Sequence, residues 1–146
     1  MADLILKIPI PYEPKRENRW VVKVDNERST NSSKLQSWVI KETSRPKFIR
    51  TKWWNFWRKF EVSEIMIIMN DPIGPSTAQI IHDFMVNDTK LNYNLELLDP
   101  TGVVVEQWEL RNCKILEADF GGLDYKKEDF VTCSLLLKPN TGKLVF

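Results

Sequence analysis

The feature that most constrains the fold is a tight turn, Asp99-Pro100-Thr101-Gly102, between two β-prone runs within residues 91–113. Asp at the first position accepts hydrogen bonds from the following backbone, Pro presets φ at the second, and Gly at the fourth tolerates positive φ. Apolar and polar residues alternate on both sides of the turn, which is typical of half-buried strands. The pattern predicts a β-hairpin.

One position breaks the apolar face of this hairpin. Glu106 has the same parity as the apolar residues around it, so its carboxylate is directed to the side that the alternation assigns to the core. Either the hairpin extends beyond the core, or position 106 faces another chain. The apolar positions that define the face are Tyr93, Leu95, Leu97, Val104, Trp108 and Leu110.

A single helix is predicted between residues 76 and 87. Ser76, followed three residues later by Gln79, is a capping box. His82, the only histidine, lies beside Asp83, but adjacent helical side chains diverge by about 100° and do not form an acid–base pair. We therefore expect the helix to cover a sheet and His82 to have no catalytic role. The stripe expected to be buried is Ile80, Ile81, Phe84 and Met85.

The rest of the chain is rich in predicted strands. We expect one domain over residues 1–146, mainly β with one α-helix (α+β), in an antiparallel sandwich or barrel of six to eight strands with the helix packed on it. Prolines 9, 11 and 14 exclude a regular helix near the start, so residues 1–19 are predicted to be an extended arm whose partners lie outside itself. Besides the hairpin, whose second strand continues through residues 114–120, the predicted strands are residues 20–24, 37–41, 47–50, 62–69, 130–137 and 142–146, with a loop at 25–34.

Motifs and composition exclude several classes of function. Cys113 and Cys133 lack CxxC spacing, and one histidine leaves too few ligands for zinc, so we expect two buried, reduced thiols. No phosphate-binding or nucleophile motif is present. The start resembles no signal peptide, and no apolar run reaches the roughly 18 residues of a membrane span. We expect a soluble protein made in the cytoplasm, with no cofactor, no metal and no membrane contact. A non-enzymatic role is predicted, and a small hydrolase is a distant alternative.

The charges are distributed unevenly along the chain. Residues 1–60 contain 14 Lys or Arg against 6 Asp or Glu, and residues 61–146 contain 7 against 14, so the two parts carry +8 and −7. The halves could neutralise each other within one domain, or the basic face of one copy could meet the acidic face of an identical copy. A third interpretation, binding of nucleic acid through RTKWWNFWRKF (residues 50–60), conflicts with a net charge of only +1.

Five aromatic rings lie within residues 53–60, among Lys and Arg. One interpretation places Trp53, Trp57 and Phe60 against the core. A second makes the segment a contact between subunits, because Trp and Arg are enriched in interface hot spots, and a third makes it a platform for base or sugar stacking. The candidate contact residues are Phe48, Arg50, Lys52, Trp53, Trp54, Trp57, Arg58 and Lys59 on one copy, and Glu117, Asp119, Asp124, Glu128 and Asp129 on the other.

Several motifs together resemble a known family. NDPIGPSTAQ (residues 70–79) precedes the helix, LELLDPTGVVVEQWELRNC leads through the hairpin, and GGLDY with a closing FVTCSLLL strand follows. The succession resembles the tail-tube proteins of contractile-tailed bacteriophages, whose fold is shared with the tube proteins of type VI secretion. The opening LKIPIPYEPKRENRW is similar to the N-terminal arm of that group.

The resemblance implies a structural virion protein of the phage tail. Its expected assembly is a stack of rings, each of six copies, that forms a conduit for genome ejection. The implied partners are further copies of the chain, the tail sheath, baseplate or tail-terminator proteins, and DNA passing through the lumen. The aromatic stretch of residues 53–60 departs from the family pattern, so the implied role is either the repeating subunit of the inner tube or a component of a baseplate or tube-end ring. A single-stranded nucleic-acid-binding β-barrel is the alternative function.

Overall fold

The computed structural model describes residues 14–26, 35–51, 60–74 and 76–146. These residues form nine strands and one α-helix, against six to eight strands expected, so the predicted mainly β class with one helix is confirmed. The strands are β1 (Trp20–Asn26), β2 (Ile40–Glu42), β3 (Phe48–Arg50), β4 (Phe60–Val62), β5 (Ile65–Asn70), β6 (Leu91–Leu98), β7 (Val104–Asp119), β8 (Thr132–Lys138) and β9 (Thr141–Leu144), and helix α1 spans Thr77–Val86.

Seven strands form one antiparallel sheet in the order β1-β6-β7-β8-β5-β2, with β9 also paired to β7. Strand β7 organises this sheet. Its first half pairs with β6 on one side and β9 on the other, and its second half pairs with β8. Strands β3 and β4 form a separate antiparallel hairpin.

The sheet bends where β7 changes its pairing register. Asn112 has a positive φ of 52°, and the register with β6 shifts between the pairs of Leu91 and Tyr93. Leu110 and Cys113 are both fully buried, so the core-facing parity changes between them. Opposite the bend, the Asn140 amide donates to the Arg111 carbonyl at 3.2 Å, between β8 and β9. A bulge of this kind increases the local twist and curls the sheet into a half-barrel.

The predicted turn is present between β6 and β7. The Asp99 carboxylate accepts hydrogen bonds from the backbone amides of Thr101 at 2.8 Å and Val103 at 2.9 Å. Gly102 adopts a φ of +88°, which a residue with a side chain rarely occupies. Local chemistry therefore fixes the hairpin as predicted.

Helix α1 begins as its sequence indicates and covers the core. The Ser76 hydroxyl accepts from the Gln79 amide at 3.3 Å, and the Asp71 carboxylate, which was not anticipated, accepts from the Thr77 amide at 3.0 Å. Ile81 and Phe84 are buried. Met85 is 43% exposed, so its assignment to the buried stripe was wrong, and Thr77 is buried instead. His82 is exposed.

Two predicted strands are divided differently. In residues 37–41 a 3-10 turn, Ser37–Val39, precedes β2. Residues 62–69 contain a break at residues 63–64, because Val62 pairs with Phe48 in the β3–β4 hairpin while β5 starts at Ile65 and pairs with β8. The predicted loop at 25–34 begins later, since β1 extends to Asn26, and residues 27–34 lie outside the described part of the chain.

The core fills the space between the two halves of the curled sheet. Cys113 and Cys133 are buried, free thiols, as predicted. The described residues contain no helix with the length and apolar character that crossing a membrane requires. Other fully buried core side chains include Val22, Tyr93, Leu91, Leu110, Ile65, Ile67, Met69, Leu135, Leu137 and Ile81.

Candidate subunit interface

Glu106 lies inside the subunit, which corrects both sequence-based interpretations of this position. The residue is only 5% exposed. Its carboxylate accepts hydrogen bonds from Lys15 Nζ at 2.6 Å, Trp108 Nε1 at 2.7 Å and Arg45 Nη1 at 3.3 Å. A buried carboxylate is tolerated when cations and donors surround it. Glu106 therefore joins the segment before β1 to the core instead of facing another chain.

The same contacts determine the ionisation of Glu106. Burial alone would raise its pKa, because it disfavours the charged form. The hydrogen bonds from Lys15 and Trp108 and the positive charges of Lys15 and Arg45 outweigh burial, and the net effect is a pKa below the ordinary value. The carboxylate is thus held ionised at neutral pH.

The described end of the predicted arm also has partners within its own chain. Lys15 contacts Glu106, and the Arg19 carbonyl accepts from the Leu98 amide at 2.9 Å. For residues 14–19 these partners outside the arm belong to the same subunit, and residues 1–13 lie outside the described ranges. The segment borders a cavity of about 510 Å³ that is also lined by Trp20, Lys41 and Leu97.

Part of the charge asymmetry is neutralised within the subunit. Lys15 and Arg45 pair with Glu106, and Lys23 pairs with Glu96 at 3.5 Å. These contacts join the basic first 60 residues to the acidic remainder. For these residues, the interpretation that the two halves neutralise each other within one domain therefore holds.

One end of the subunit, which we call the basic end, consists of residues 47–51, 60–62 and 138–146. Its side chains carry four positive charges, from Lys47, Arg50, Lys138 and Lys143, against the single negative charge of Glu61. Lys138 Nζ contacts the Glu61 carboxylate and the Val62 carbonyl, both at 2.9 Å, which attaches the β3–β4 hairpin to the end of β8.

The basic end contains an apolar groove of about 280 Å³, here called the β9 groove. Phe48 and Phe60 flank it and are 39% and 53% exposed. The floor includes Gly142, where a Cβ would lie 2.6 Å from a side-chain carbon of Leu110 and 2.9 Å from one of Val62. Strand β9 can lie this close to the core only because residue 142 has no side chain. The groove is lined by Phe48, Phe60, Val62, Asn140, Thr141, Gly142 and Lys143.

The opposite end, which we call the acidic end, consists of residues 117–131, the last part of β7 and its connection to β8. Five acidic side chains lie here against two lysines. Leu123, Tyr125 and Phe130 are 85%, 110% and 86% exposed. Large apolar side chains grouped on a surface in this way commonly mark an interaction site.

The two ends lie at opposite termini of the β5–β8 pair. The Asp71 amide donates to the Val131 carbonyl at 2.9 Å, where β5 ends and β8 begins. The hairpin contact with Lys138 lies at the other terminus of β8. Seven residues of β8 separate the ends by about 20 Å at the usual rise of a strand.

The structure places only part of the predicted contact set. Phe48 and Arg50 are exposed in β3, and Glu117, Asp119, Asp124, Glu128 and Asp129 are all exposed at the acidic end. Phe60, which one interpretation placed against the core, is more than half exposed. The candidates Lys52, Trp53, Trp54, Trp57, Arg58 and Lys59 lie outside the described residues.

Two members of the acidic set have local roles. The Asp119 carboxylate accepts from the Gly121 amide and the Asp124 carboxylate from the Lys126 amide, each at 2.9 Å. Gly121 has a φ of +82°, and a Cβ there would overlap the Thr132 carbonyl oxygen. The connection between β7 and β8 therefore has a locally fixed shape, and its large apolar side chains remain exposed.

Sequence reasoning missed the apolar side chains of the acidic end and the groove beside β9. Leu123 and Tyr125 follow two glycines in a polar segment without strand or helix periodicity. Large apolar residues in such a segment have no strand face to bury them, and this signal was available in the sequence. Phe130 was assigned to the start of the predicted strand 130–137, but β8 begins only at Thr132. No comparable sequence signal pointed to the β9 groove, because the groove depends on β9 lying beside the β3–β4 hairpin, which is distant in the chain.

The curled antiparallel sheet covered by one helix is the fold of tube-type components of contractile injection systems, and the predicted tail-tube fold is confirmed. One similar solved structure is a chain from the sixfold-symmetrised baseplate of the anti-feeding prophage, with a TM-score of 0.64, 14% identity, and 91% of this chain and 96% of that chain covered. Another comes from the sheath–tube complex of the PVC extracellular contractile injection system, with a TM-score of 0.61, 14% identity and 95% of each chain covered.

Hcp1 from E. coli EAEC 042 is also similar, with a TM-score of 0.59, 6% identity, and 88% of this chain and 91% of that chain covered. At such identities the likeness concerns the fold alone. No protein-family model and no curated protein matches the sequence.

Proposed function

We propose that the protein is a structural subunit of a contractile tail, forming rings of six copies in the inner tube or in a ring at its baseplate or terminal end. The rings stack to make a conduit for genome ejection in a phage virion. The observation that carries the proposal is the fold, since similar structures include chains from a baseplate and from a sheath–tube complex. Both structures cover more than 90% of this chain, so the likeness extends over nearly all of the given sequence.

The chemistry of the described residues is consistent with a structural role. Within residues 14–26, 35–51, 60–74 and 76–146 no group of three or more His, Cys, Asp and Glu side chains is arranged to hold a metal ion. The buried carboxylate of Glu106 is fully engaged by donors of its own subunit. We assign no catalytic residue, and the proposed partners are other copies, tail sheath, and baseplate or terminator proteins, with DNA in the lumen.

Within this proposal, contacts between copies involve the basic aromatic segment of residues 47–60 and the acid-rich surface of a neighbour. The exposed Phe48, Phe60 and Arg50 support this assignment, as do the five exposed acidic residues at the other end. Apolar anchors provide most of the affinity in such contacts, and surrounding charges set register and association rate.

The proposal is tested by native mass spectrometry and negative-stain electron microscopy of the purified protein. We expect ring-shaped particles of six copies, and short stacks at higher concentration. A protein that remains monomeric into the hundreds of micromolar range contradicts the proposed function. A salt titration of single-stranded DNA binding tests the alternative, because a nucleic-acid-binding module would bind with a steep salt dependence and form no rings.

A further inference from the structure

We propose that the apolar tip of the acidic end of one copy packs against the β9 groove of a second copy, in a head-to-tail contact. The tip consists of Leu123, Tyr125 and Phe130. The inference rests on the proposed function, because it specifies which surfaces of two subunits meet and in which direction.

Both surfaces present uncovered apolar side chains. The three apolar side chains of the tip are at least 85% exposed and border a concavity of about 780 Å³, and the groove is flanked by the partly exposed rings of Phe48 and Phe60. Both are formed in the isolated subunit. The tip is held by the Asp119 and Asp124 hydrogen bonds, and the groove by the contacts of Lys138 with the β3–β4 hairpin. Preformed surfaces lose little conformational entropy on binding.

The surfaces are also complementary in charge. The basic end carries a side-chain charge of +3 and the acidic end carries −3. Opposite charges around an apolar contact accelerate association and disfavour wrong orientations. The negative charge of the acidic end would repel nucleic-acid phosphates or an anionic lipid surface, which leaves the basic end of another copy as the better occupant.

Position in the fold prevents the tip from filling the groove of its own subunit. The two ends are separated by the length of β8, about 20 Å. Two different surfaces of one chain that fit each other make a heterologous contact, and repetition of such a contact produces rings or filaments. The subunits would therefore point in one direction along the assembly, roughly along β8.

Disulfide cross-linking between two single variants tests this contact. Phe130→Cys changes the tip and Thr141→Cys changes the groove wall, both at exposed positions. We expect a mixture of the two variants to form a cross-linked heterodimer under mild oxidation, with more than about tenfold the yield of either variant alone. The native thiols interfere little, because burial raises the pKa of Cys113 to about 12 and also raises that of Cys133.

The matched control is Val86→Cys mixed with Thr141→Cys. Val86 is 68% exposed at the end of helix α1, outside both surfaces, and we expect this pair to give only background cross-linking. Rings without preferential cross-linking of the Phe130 and Thr141 variants would overturn the inference and leave the proposed function intact. Cross-linking of Phe130→Cys with itself would indicate a twofold contact and would also overturn it. Absence of any assembly would refute both proposals.

A second measurement uses the full chain without added cysteines. We expect Phe130→Asp to weaken association by more than about tenfold, because it replaces an apolar anchor of the contact with a charge. The circular dichroism spectrum should stay unchanged. Val86→Asp introduces the same charge at a similarly exposed position and should leave association unchanged. Equal effects of the two substitutions would contradict a specific role of the tip.

Discussion

Glu106 is the charged side chain that is buried among the residues the structure describes, so the conflict between burial and charge is strongest there. Three donors from separate parts of the chain resolve it, namely Lys15, Arg45 and Trp108. The two cations remain about half exposed, with side-chain exposures of 51% for Lys15 and 59% for Arg45. Solvent therefore screens part of the attraction, and much of the effect of losing the carboxylate would come from donors left without an acceptor.

We predict that Glu106→Gln lowers the free energy of unfolding at pH 7 by about 1–3 kcal/mol, since hydrogen bonds to a charged acceptor are lost. The folded-state pKa of Glu106 is lowered, so its contribution to stability is present above the unfolded-state pKa of about 4.3 and is lost as pH falls through the folded-state value. The difference between wild type and variant should therefore shrink below about pH 5. Urea unfolding at a series of pH values measures it.

Glu128→Gln is the control for this experiment, because Glu128 is exposed at the acidic end. It should leave stability within about 0.5 kcal/mol of wild type. A difference for Glu106→Gln that stays constant from neutral to acidic pH would contradict the assigned role of its charge.

Among the elements, helix α1 depends on both local sequence and tertiary packing for its start and its buried face. Ser76 and Gln79 define its start, and the contribution of Asp71 comes from the end of β5. Ile81 and Phe84 face the sheet, while Met85 and Val86 are exposed as the helix ends. The helix is therefore a cover for the core.

We predict that Phe84→Ala lowers the free energy of unfolding by about 3–5 kcal/mol, because the truncation leaves a cavity under the helix. His82→Ala is the control from the same helix and should change stability by less than about 0.5 kcal/mol. Chemical denaturation of both variants measures the effect. A harmless Phe84→Ala together with loss of assembly in His82→Ala would mean that the helix presents its other face to a partner.

At the scale of the whole molecule, charge is segregated to the two ends of the β5–β8 pair, and this arrangement gives the subunit a direction. We predict that Arg50→Glu slows association of subunits at low salt without changing the fold, because the substitution places a negative charge on the basic end. Added salt should slow association of the wild type, whose charges attract, and should slow the variant less, because its basic end keeps a side-chain charge of only +1. Light scattering at low and high ionic strength follows both rates.

Lys41→Glu makes a similar charge change at an exposed position in β2, outside both ends. It should leave the association rate close to that of the wild type. If both substitutions slow association equally, net charge and not the location of Arg50 controls assembly.

Much of the fold was predictable because it depends on chemistry within a few residues. The Asp99–Gly102 turn, the Ser76 cap and the alternation of β6 each require only neighbours in the chain, and all three are found in the structure. The exposed acidic residues of the contact set were also predictable, since charged side chains in polar connections remain solvated.

The tertiary structure decided what depends on distant residues. Glu106 was assigned to the outside because its partner Lys15 is 91 positions away. The bulge at Asn112 shifts the core-facing side chains of β7 from even-numbered to odd-numbered positions, and the alternation of residue types alone does not reveal this change. The β9 groove exists because residues 48, 62 and 142 meet around a backbone without a Cβ. The sequence by itself determined the Asp99–Gly102 turn, the Ser76 cap and the alternating faces of β6, through local backbone preferences and hydrogen bonds. Only folding brought Lys15 and Arg45 to the buried carboxylate of Glu106 and assembled each of the two ends from distant segments, because chain closure over many residues sets which surfaces become adjacent.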